Sequence, residues 1–463
     1  MLVPFALAGL FASWAAVPPP TAALVGYFSG IVFFALDFSW FGETAGSLLG
    51  PFAFILDLGP AMIEAVAFAV TAAIVSLAVR RCNVPLAAFV SAAAYAATEW
   101  LRSIGPFGAP FYALGAPLVI TPLAPLAAFA GGFGLTFVAA LAGAAIAAFA
   151  RDRAAWGLLV GTFAGIALAW GLAWQAWPAR AHDDGSVPMA VVQGNITQTL
   201  KWTPAALALA IDRYTTMTAA LGPQHPRVVV WPETVIATNL IADPALDARF
   251  KALARSLHTL LVVGSLEETQ AGAYNDLFFY DGSGARVAVY RKRQLVPFAE
   301  YLPGPAWMRR LPGGNLPGPF SQGTDPAIVD PALGLAPLIC WESAFGDVAF
   351  DQARRGARVY LIATDDAWFG ASDGPYAHAQ FANLRAVESG LWVVRAAATG
   401  ISGIIAPDGT WRERSTLETQ TSIVGRVGDP RPTFYGRIGP QPFGFLFLII
   451  VVAGLGVGRR RGR

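Results

Sequence analysis

Long apolar stretches separated by short polar segments dominate the first 177 residues, and one more lies near the C-terminal end. A helix needs about 20 predominantly apolar residues to cross a bilayer. The stretches that we predict to span a membrane are 2–17, 20–37, 51–79, 84–102, 121–150, 155–177 and 442–458. The two longest contain Gly or Pro, so we expect a tilt or a break in them. Within the fourth, Glu99 and Arg102 lie one helical turn apart and are positioned to pair.

The pattern changes beyond residue 185, where short β-rich apolar runs alternate with amphipathic segments. The predicted strands are 189–195, 227–234, 259–267, 336–343, 358–366 and 391–399. Helical stretches separate several of them, at 204–221, 243–257 and 376–389. Buried strands alternating with helices are typical of an α/β domain.

The charged residues follow the same division of the chain. Residues 1–177 carry 11 charged side chains and no lysine, whereas the remaining 286 residues carry 51. Over the whole chain 55% of residues are hydrophobic and 13% are charged, against about 25% charged in typical soluble domains. We therefore predict a transmembrane helical domain of about six spans at 1–178, an α/β domain at 179–440, and a last span with a basic tail at 441–463.

The arginines predict the orientation, because positive charges accumulate in cytoplasmic loops. They form three clusters: Arg80 and Arg81 after the third predicted span, Arg151 and Arg153 after the fifth, and four arginines within 459–463. Placing all three clusters in the cytoplasm puts residues 179–440 outside, together with the N-terminus. The segment 2–17 is interpreted as a span rather than a signal peptide, because it lacks a basic start and more spans follow.

Composition and missing motifs disfavour several classes of function. The net charge of +2 comes without the basic patch that nucleic-acid binding requires. Two cysteines, Cys82 and Cys340, are too few for a disulfide scaffold. The four histidines show no metal-binding spacing, and the chain has neither a GxSxG elbow nor a Walker-type phosphate loop. We therefore expect no metal, no cofactor and no nucleic-acid partner.

Three strand ends in the α/β part carry side chains suited to nucleophilic catalysis. Glu233 follows the run RVVVWP, Lys292 follows VAVYR with Glu300 eight residues further on, and Cys340 follows APLI. A carboxylate can accept a thiol proton, an ammonium can lower the thiol pKa and stabilise an oxyanion, and a thiolate attacks carbonyl carbon. Glu233, Lys292 and Cys340 are therefore a candidate catalytic set.

Each of these residues also has an ordinary structural explanation. A single cysteine on an apolar strand is most often a small core residue. Glu233 is equally consistent with a helix cap, and Lys292 with one charge in a solvated run of three. Chain order alone does not show that the three side chains meet in space.

In this order, however, they resemble the Glu-Lys-Cys triad of the nitrilase superfamily. The whole chain resembles more closely the apolipoprotein N-acyltransferase family, bacterial membrane enzymes with a nitrilase-like domain between N-terminal spans and one C-terminal span. The matching blocks cover nearly all of the α/β part and two segments of the first half. They are TEWLRS (98–103), PFGAPFYALG (106–115), VVQGNITQTLKW (191–202), WPET (231–234), GS (264–265), YN (274–275), KRQLVPFAEYLP (292–303), ICWE (339–342), DAWFG (366–370) and GPYAHAQFANLRAVE (374–388).

The resemblance implies a fold and a role for each matching residue. The fold would be a membrane α-helical bundle plus an α/β nitrilase-like domain built as an α-β-β-α sandwich. Glu233 would be the general base, Lys292 the oxyanion and charge partner, and Cys340 the nucleophile. In support, Glu300 would assist the lysine and the backbone N–H of Trp341 would donate to the oxyanion, while Trp202, Trp341 and Glu342 resemble positions lining the acyl or acceptor site. We further predict that Trp368 and Phe369 shield the acyl chain.

Two positions depart from the family pattern. Trp341 stands where the family commonly has Tyr, and Thr364, Asp365 and Asp366 stand where it usually has Ser-Asn-Asp. The extra carboxylate of Asp365 is a candidate for altering the loop or the recognition of the acceptor. The chain also has about one span fewer than the family pattern, so we expect a further span upstream.

The implied activity transfers an acyl chain from a membrane phospholipid to a diacylated apolipoprotein, through a thioester on Cys340. The acceptor atom would be the amine of the lipid-modified N-terminal cysteine, and the enzyme would span the bacterial inner membrane with its catalytic domain in the periplasm. A membrane-tethered nitrilase-like amidase or hydrolase is the alternative, because it needs only the triad. A third possibility is a non-catalytic assembly or transport component. The complete Glu-Lys-Cys set argues against it.

Overall fold

The computed structural model describes residues 2–40, 54–105, 108–178, 185–197, 201–297, 299–301, 320–324, 327–370 and 372–461, without the side chains of 54–57 and 459–461. Residues 51–53 of the third predicted span and Arg463 of the basic tail therefore lie outside the described part. The chain forms two compact units, Met1–Trp177 with Ile438–Arg463, and Pro178–Arg437.

The first unit is a bundle of helices. Among the described residues, six long helices precede the α/β unit: α1 (Val3–Ala16), α2 (Pro19–Asp37), α3 (Phe54–Arg81), α4 (Val84–Arg102), α5 (Ala124–Arg151) and α6 (Trp156–Ala176). A short turn at Gly115–Leu118 and a C-terminal helix at Gln441–Arg461 complete it. The start of α4 shows why a helix begins where it does, because the Asn83 side chain accepts from the backbone N–H of Leu86 at 3.1 Å.

Six helices of the described part are long and apolar enough to cross a membrane: α2 to α6 and the C-terminal helix. The chain is therefore a membrane protein. α1 is apolar but has only 14 residues. The predicted break in a long span lies in α5, where Gly131 adopts a left-handed φ of 66°, a conformation that suits glycine.

The expected pair within α4 is not formed. Arg102 instead forms an ion pair with Glu64 of α3 and donates to the carbonyl oxygens of Ala109 and Phe111. Glu99 accepts from the backbone N–H of Leu114 at 3.0 Å and from the hydroxyl of Thr136 at 2.5 Å. Buried charges need close partners, and here the partners come from other segments of the bundle rather than from the same helix.

The second unit contains two sheets. The first has seven strands: β1 (Val187–Gln193), β2 (Val228–Val230), β3 (Ile236–Asn239), β4 (Leu260–Thr269), β5 (Gly272–Tyr280), β6 (Arg286–Arg291) and, from the end of the unit, β12 (Thr421–Val427), in the order β12-β1-β2-β4-β5-β6 with β3 on β4. The second runs β11-β10-β9-β8-β7, from β7 (Leu335–Ile339), β8 (Val359–Thr364), β9 (Trp392–Ala397), β10 (Gly403–Ile405) and β11 (Trp411–Arg414).

Strand alternation produces the layers of this unit. Met189 and Val191 of β1 pack in one buried cluster with Leu335 and Leu361 of the other sheet, whereas Ala190 and other residues on the opposite face join a second cluster. That second cluster contains residues of helices α7 (Pro204–Ala219) and α8 (Pro244–Leu257). Helices α9 (Gly346–Arg354) and α10 (Gly374–Ser389) follow β7 and β8. The unit is therefore an α-β-β-α sandwich with one apolar core between its sheets.

Candidate active site

Glu233 lies on a turn that follows β2 and passes close to β4. The strand end is anchored by Trp231, which is fully buried and whose ring N–H donates to the Thr218 hydroxyl at 2.8 Å. Gly264 of β4 makes the approach possible, because a Cβ there would lie 2.0 Å from the carbonyl oxygen of Pro232. The turn leaves Glu233 only 4% exposed, so its carboxylate needs partners from the protein.

Lys292 follows β6, is 1% exposed, and joins two carboxylates. Its Nζ lies 2.9 Å from Glu233 Oε1 and 2.9 Å from Glu300 Oε1. The side-chain amide of Asn275 on β5 donates to the same two oxygens at 2.7 and 3.0 Å. The backbone N–H of Val296 donates to the other oxygen of Glu300 at 2.8 Å. Both carboxylates are thus fixed around one ammonium and one amide.

Cys340 begins a five-residue helical turn directly after β7, with a left-handed φ of 49°. This backbone region is costly for a residue other than glycine and persists where the surroundings hold it. Here the Cys340 carbonyl accepts from the Ser343 hydroxyl at 2.8 Å and lies 3.1 Å from Nε2 of His378. Nδ1 of His378 lies 2.8 Å from Asp366, which Arg395 contacts at 2.9 Å. This buried network supports the turn that carries the thiol.

The charges of the site decide its protonation state. Burial raises the pKa of Glu233, but the ammonium groups of Lys292 and Lys201 outweigh it and hold that pKa below its ordinary value. Burial lowers the pKa of Lys292, yet Glu233 and Glu300 raise it well above its ordinary value. Burial and the charge of Glu233 raise the pKa of Cys340 well above its ordinary value. At neutral pH the resting site therefore holds a carboxylate, an ammonium and a neutral thiol.

The sequence suggested that the ammonium of Lys292 lowers the thiol pKa. Lys292 does lower the pKa of Cys340, but burial and Glu233 raise it by more. The thiol must therefore lose its proton as it attacks, and the ionised Glu233 is the group placed to accept it.

Glu342 is a structural tie between two segments of the site. It is fully buried, and its carboxylate accepts from four donors, the backbone N–H groups of Ile339 (2.6 Å), Arg293 (2.6 Å) and Gln294 (3.1 Å) and the hydroxyl of Tyr290 (3.0 Å). These contacts join the turn of Cys340 to the segment after Lys292. The expectation that Glu342 also lines the acyl or acceptor site stays a prediction.

The predicted aromatic residues differ in exposure. Trp202 is 51% exposed and Trp341 is 7% exposed, while Trp368 is half-buried. Phe369 is 4% exposed, and its ring lies 5.6 Å from that of His378. Phe369 therefore packs inside the unit. The expectation that Trp202, Trp368 and Phe369 contact the substrate stays a prediction.

Two groups of the site were not predicted from the sequence. Asn275 belongs to the YN block (274–275), which carries no indication of its role. Its amide is the donor shared by Glu233 and Glu300. The backbone N–H of Asp365 donates to the second oxygen of Glu233 at 2.9 Å. A backbone donor leaves no signature in the sequence, since every residue but proline carries one.

Comparisons with known proteins identify the family. The model of the apolipoprotein N-acyltransferase N-terminal domain matches residues 1–145, and that of carbon-nitrogen hydrolases matches 189–427. Apolipoprotein N-acyltransferase from Allorhizobium ampelinum is 34% identical over 418 residues, 86% of this chain and 78% of the relative. The chain belongs to the apolipoprotein N-acyltransferase family. The Brucella melitensis apolipoprotein N-acyltransferase is 31% identical over 457 residues, 93% of this chain and 84% of its own.

Membership of the apolipoprotein N-acyltransferase family confirms the predicted resemblance and the predicted class of enzyme, an acyltransferase. The carbon-nitrogen hydrolase match runs from β1 to the end of β12, and the predicted nitrilase-like sandwich is confirmed. Among solved structures, a variant of the Nesterenkonia AN1 amidase from the nitrilase superfamily is similar at 18% identity, with a TM-score of 0.43. That similarity covers 57% of this chain and 98% of the amidase.

Proposed function

We propose that this protein transfers an acyl chain from a membrane phospholipid to the amine of the lipid-modified N-terminal cysteine of an apolipoprotein. The observation that supports this most directly is the meeting of Glu233, Lys292 and Cys340 in one buried site of an acyltransferase. Several helices able to span a membrane surround the catalytic unit in sequence, which suits a donor and an acceptor that are both anchored in lipid.

The first half-reaction forms a thioester. Glu233 accepts the proton of Cys340 as the sulfur attacks the ester carbonyl carbon of the phospholipid. The ammonium of Lys292, with the backbone N–H of Trp341, stabilises the oxyanion that develops. When the carbon–oxygen bond breaks, Glu233 returns the proton to the departing alkoxide, and lysophospholipid leaves.

The second half-reaction releases the acyl chain to the acceptor. The amine attacks the thioester carbonyl and gives up a proton to Glu233, and the carbon–sulfur bond then breaks to yield an amide. The same proton restores the thiol of Cys340. Glu300 supports Lys292 through both half-reactions, and Trp202 and Trp368 contact the lipid parts of the substrates.

We place the enzyme in the bacterial inner membrane with the catalytic unit on the periplasmic side. The three arginine clusters support this orientation, because all of them fit cytoplasmic loops at once. Acceptor lipoproteins anchored on the outer face of that membrane then share a compartment with Cys340.

A covalent-intermediate experiment tests the proposal. Purified protein is incubated with a phospholipid labelled in its acyl chain, without acceptor. We expect label on the protein that neutral hydroxylamine releases and that moves to an added diacylated lipopeptide. The label should be absent in Cys340→Ala and retained in Cys82→Ala, which removes the other cysteine of the chain.

Two outcomes would contradict the proposal. Label that survives in Cys340→Ala would disprove the assignment of the nucleophile. Free fatty acid released without acceptor, and no transfer when lipopeptide is added, would identify a membrane-tethered hydrolase instead.

A further inference from the structure

A second buried lysine lies beside the proposed base. Lys201 is 5% exposed, and its Nζ has three acceptors: Asp365 Oδ2 at 2.5 Å, the Thr234 hydroxyl at 2.5 Å and the carbonyl oxygen of Glu233 at 3.4 Å. An ammonium can donate three hydrogen bonds. Lys201 thus contacts the backbone of the base, the residue after it, and the loop that follows β8.

Thr234 and Asp365, whose side chains contact Lys201, both influence the position of the Glu233 carboxylate. Thr234 has a left-handed φ of 44°, which is strained for a β-branched residue. On the other side, Asp365 gives its backbone N–H to Glu233 Oε2 at 2.9 Å. Because Lys201 holds the side chains of both Thr234 and Asp365, it fixes the turn that carries the base and the donor that orients it.

The charges around Glu233 form two opposed pairs. The titratable groups that face it are Lys292, Lys201, Glu300, Asp365 and the thiol of Cys340. Lys292 with Glu300 lies on the side of Oε1, and Lys201 with Asp365 lies on the side of Oε2. A buried ammonium without a counter-charge is costly, and Asp365, itself only 2% exposed, supplies that charge.

We propose that Lys201 is a positioning residue for Glu233, and that Asp365 is the counter-charge that limits how strongly Lys201 acts on it. The proposal rests on the proposed function in one respect, the role of Glu233 as general base. It explains the carboxylate of Asp365, which stands where the family usually has Asn. Lys201 acts through Glu233 and its neighbours, without touching the reacting atoms.

The two charges have opposite effects on Glu233, and that separates this role from simple packing. Lys201 favours the ionised carboxylate, so its removal raises the pKa of Glu233. Asp365 and Glu233 repel each other, so the removal of the Asp365 charge lowers the pKa of Glu233. A pair that merely packed would change the amount of folded protein and leave the pH dependence of the reaction in place.

The test measures how fast the Cys340-bound acyl label forms as a function of pH in the full-length protein. In Lys201→Met we expect a rate between about 10-fold and 100-fold lower at neutral pH, from a misplaced base, and an acid limb displaced to higher pH. Asp365→Asn alone keeps the backbone N–H and an acceptor for Lys201 but removes the negative charge that repels Glu233. It should retain labelling, with the acid limb displaced to lower pH.

Lys251→Met is the matched control, because Lys251 pairs with Asp247 at 2.6 Å but is 37% exposed on α8. Its profile should coincide with that of the unsubstituted protein. The proposal is wrong if the acid limb stays in place in Lys201→Met, or if it does not move to lower pH in Asp365→Asn. Absence of any Cys340-dependent label in the unsubstituted protein would instead refute the proposed function.

Discussion

The two oxygens of the Glu233 carboxylate accept hydrogen bonds from different donors. Oε1 takes Lys292 and Asn275, and Oε2 takes the backbone N–H of Asp365. Donors that favour the ionised form lower the pKa and with it the strength of the base. The same donors fix the orientation of the carboxylate. The site therefore holds a weak base in a precise position rather than a strong base in a less defined one.

Glu300 is the residue whose replacement tests this arrangement most directly. In Glu300→Gln the ammonium of Lys292 loses one of its two carboxylate partners, and the oxyanion loses a correctly placed donor. We expect acyl transfer to slow by roughly 10²-fold, the scale of one lost electrostatic contact, with little change in thermal stability. The measurement is the rate of transfer to lipopeptide, and Glu413→Gln on β11 is the exposed control. An unchanged rate would remove Glu300 from the mechanism.

The sequence identified residues whose chemistry is unusual at a strand end. Glu233 and Cys340 follow the buried strands β2 and β7, and Lys292 follows the more exposed β6. Their placement at strand ends is visible in the pattern. Asn275 and Lys201 could not be singled out in this way, because an amide or a lysine is ordinary at most surface positions. The way in which Glu342 ties backbone segments together was not predicted either, since only its buried contacts reveal it.

Neighbouring residues of β5 face different environments. Asn275 contributes to the catalytic site, whereas Asp276 points to the other face and is fully buried. The carboxyl oxygens of Asp276 accept from no donor in the described part of the chain, and its carboxyl group shares a hydrogen bond with Glu267. Burial and the nearby Glu267 raise the pKa of Asp276 from its ordinary 3.8 to about 9, so this side chain is protonated at neutral pH.

Asp276 therefore makes stability depend on pH. The unfolded chain releases the proton near pH 3.8 and the folded chain near pH 9, so the free energy of unfolding decreases as pH rises between those values. Asp276→Asn keeps the shape without this cost, and we expect it to raise that free energy by about 2 kcal/mol at neutral pH. The gain should be larger at pH 8 than at pH 5 in thermal unfolding. Glu268→Gln, exposed on β4, should show no such trend.

Most strands that pair in parallel were predicted, because they are buried on both faces and read as continuous apolar runs. β3, which pairs in parallel with β4 but is mostly half-buried, was missed. β1, β2, β4, β7, β8 and β9 all lie within the predicted runs or a few residues from them. The antiparallel strands β11 and β12 mix exposed and half-buried residues, so no continuous run marks them. The partner of Arg102 was missed because it belongs to a distant helix, and spacing within one helix carries no information about its neighbours.

At the scale of the whole molecule, the charge distribution both divides the chain and orients it. The boundary between the compact units at Trp177 and Pro178 falls where charged residues become frequent. The apolar stretch 2–17 predicted α1 to within a residue at each end, because a proline-rich segment ends the helix at Ala16, before it reaches the length of the other apolar helices. The arginine clusters predict the orientation of the chain in the membrane.

Topology reporters test it. A fluorescent protein fused after Arg81 or after Arg153 should fluoresce, because the arginine clusters predict that those loops lie in the cytoplasm. Alkaline phosphatase fused at residue 300 should be active, because it requires an oxidising compartment. A fluorescent fusion after Arg461 serves as the control for the last span. A cytoplasmic result at residue 300 would contradict the proposed acceptor, whose amine lies outside.

The pairing of the first and last strands of the sandwich determines when during synthesis the enzyme can become active. β12 lies directly against β1, with Val187 opposite Val427 and Gln193 opposite Thr421. A ribosome has therefore translated all but the final segment before β1 gains its outer neighbour. Until then β1 remains an open edge, which invites pairing with other chains. A nascent or truncated chain that ends before residue 421 should thus aggregate or be degraded, rather than acylate lipoproteins prematurely.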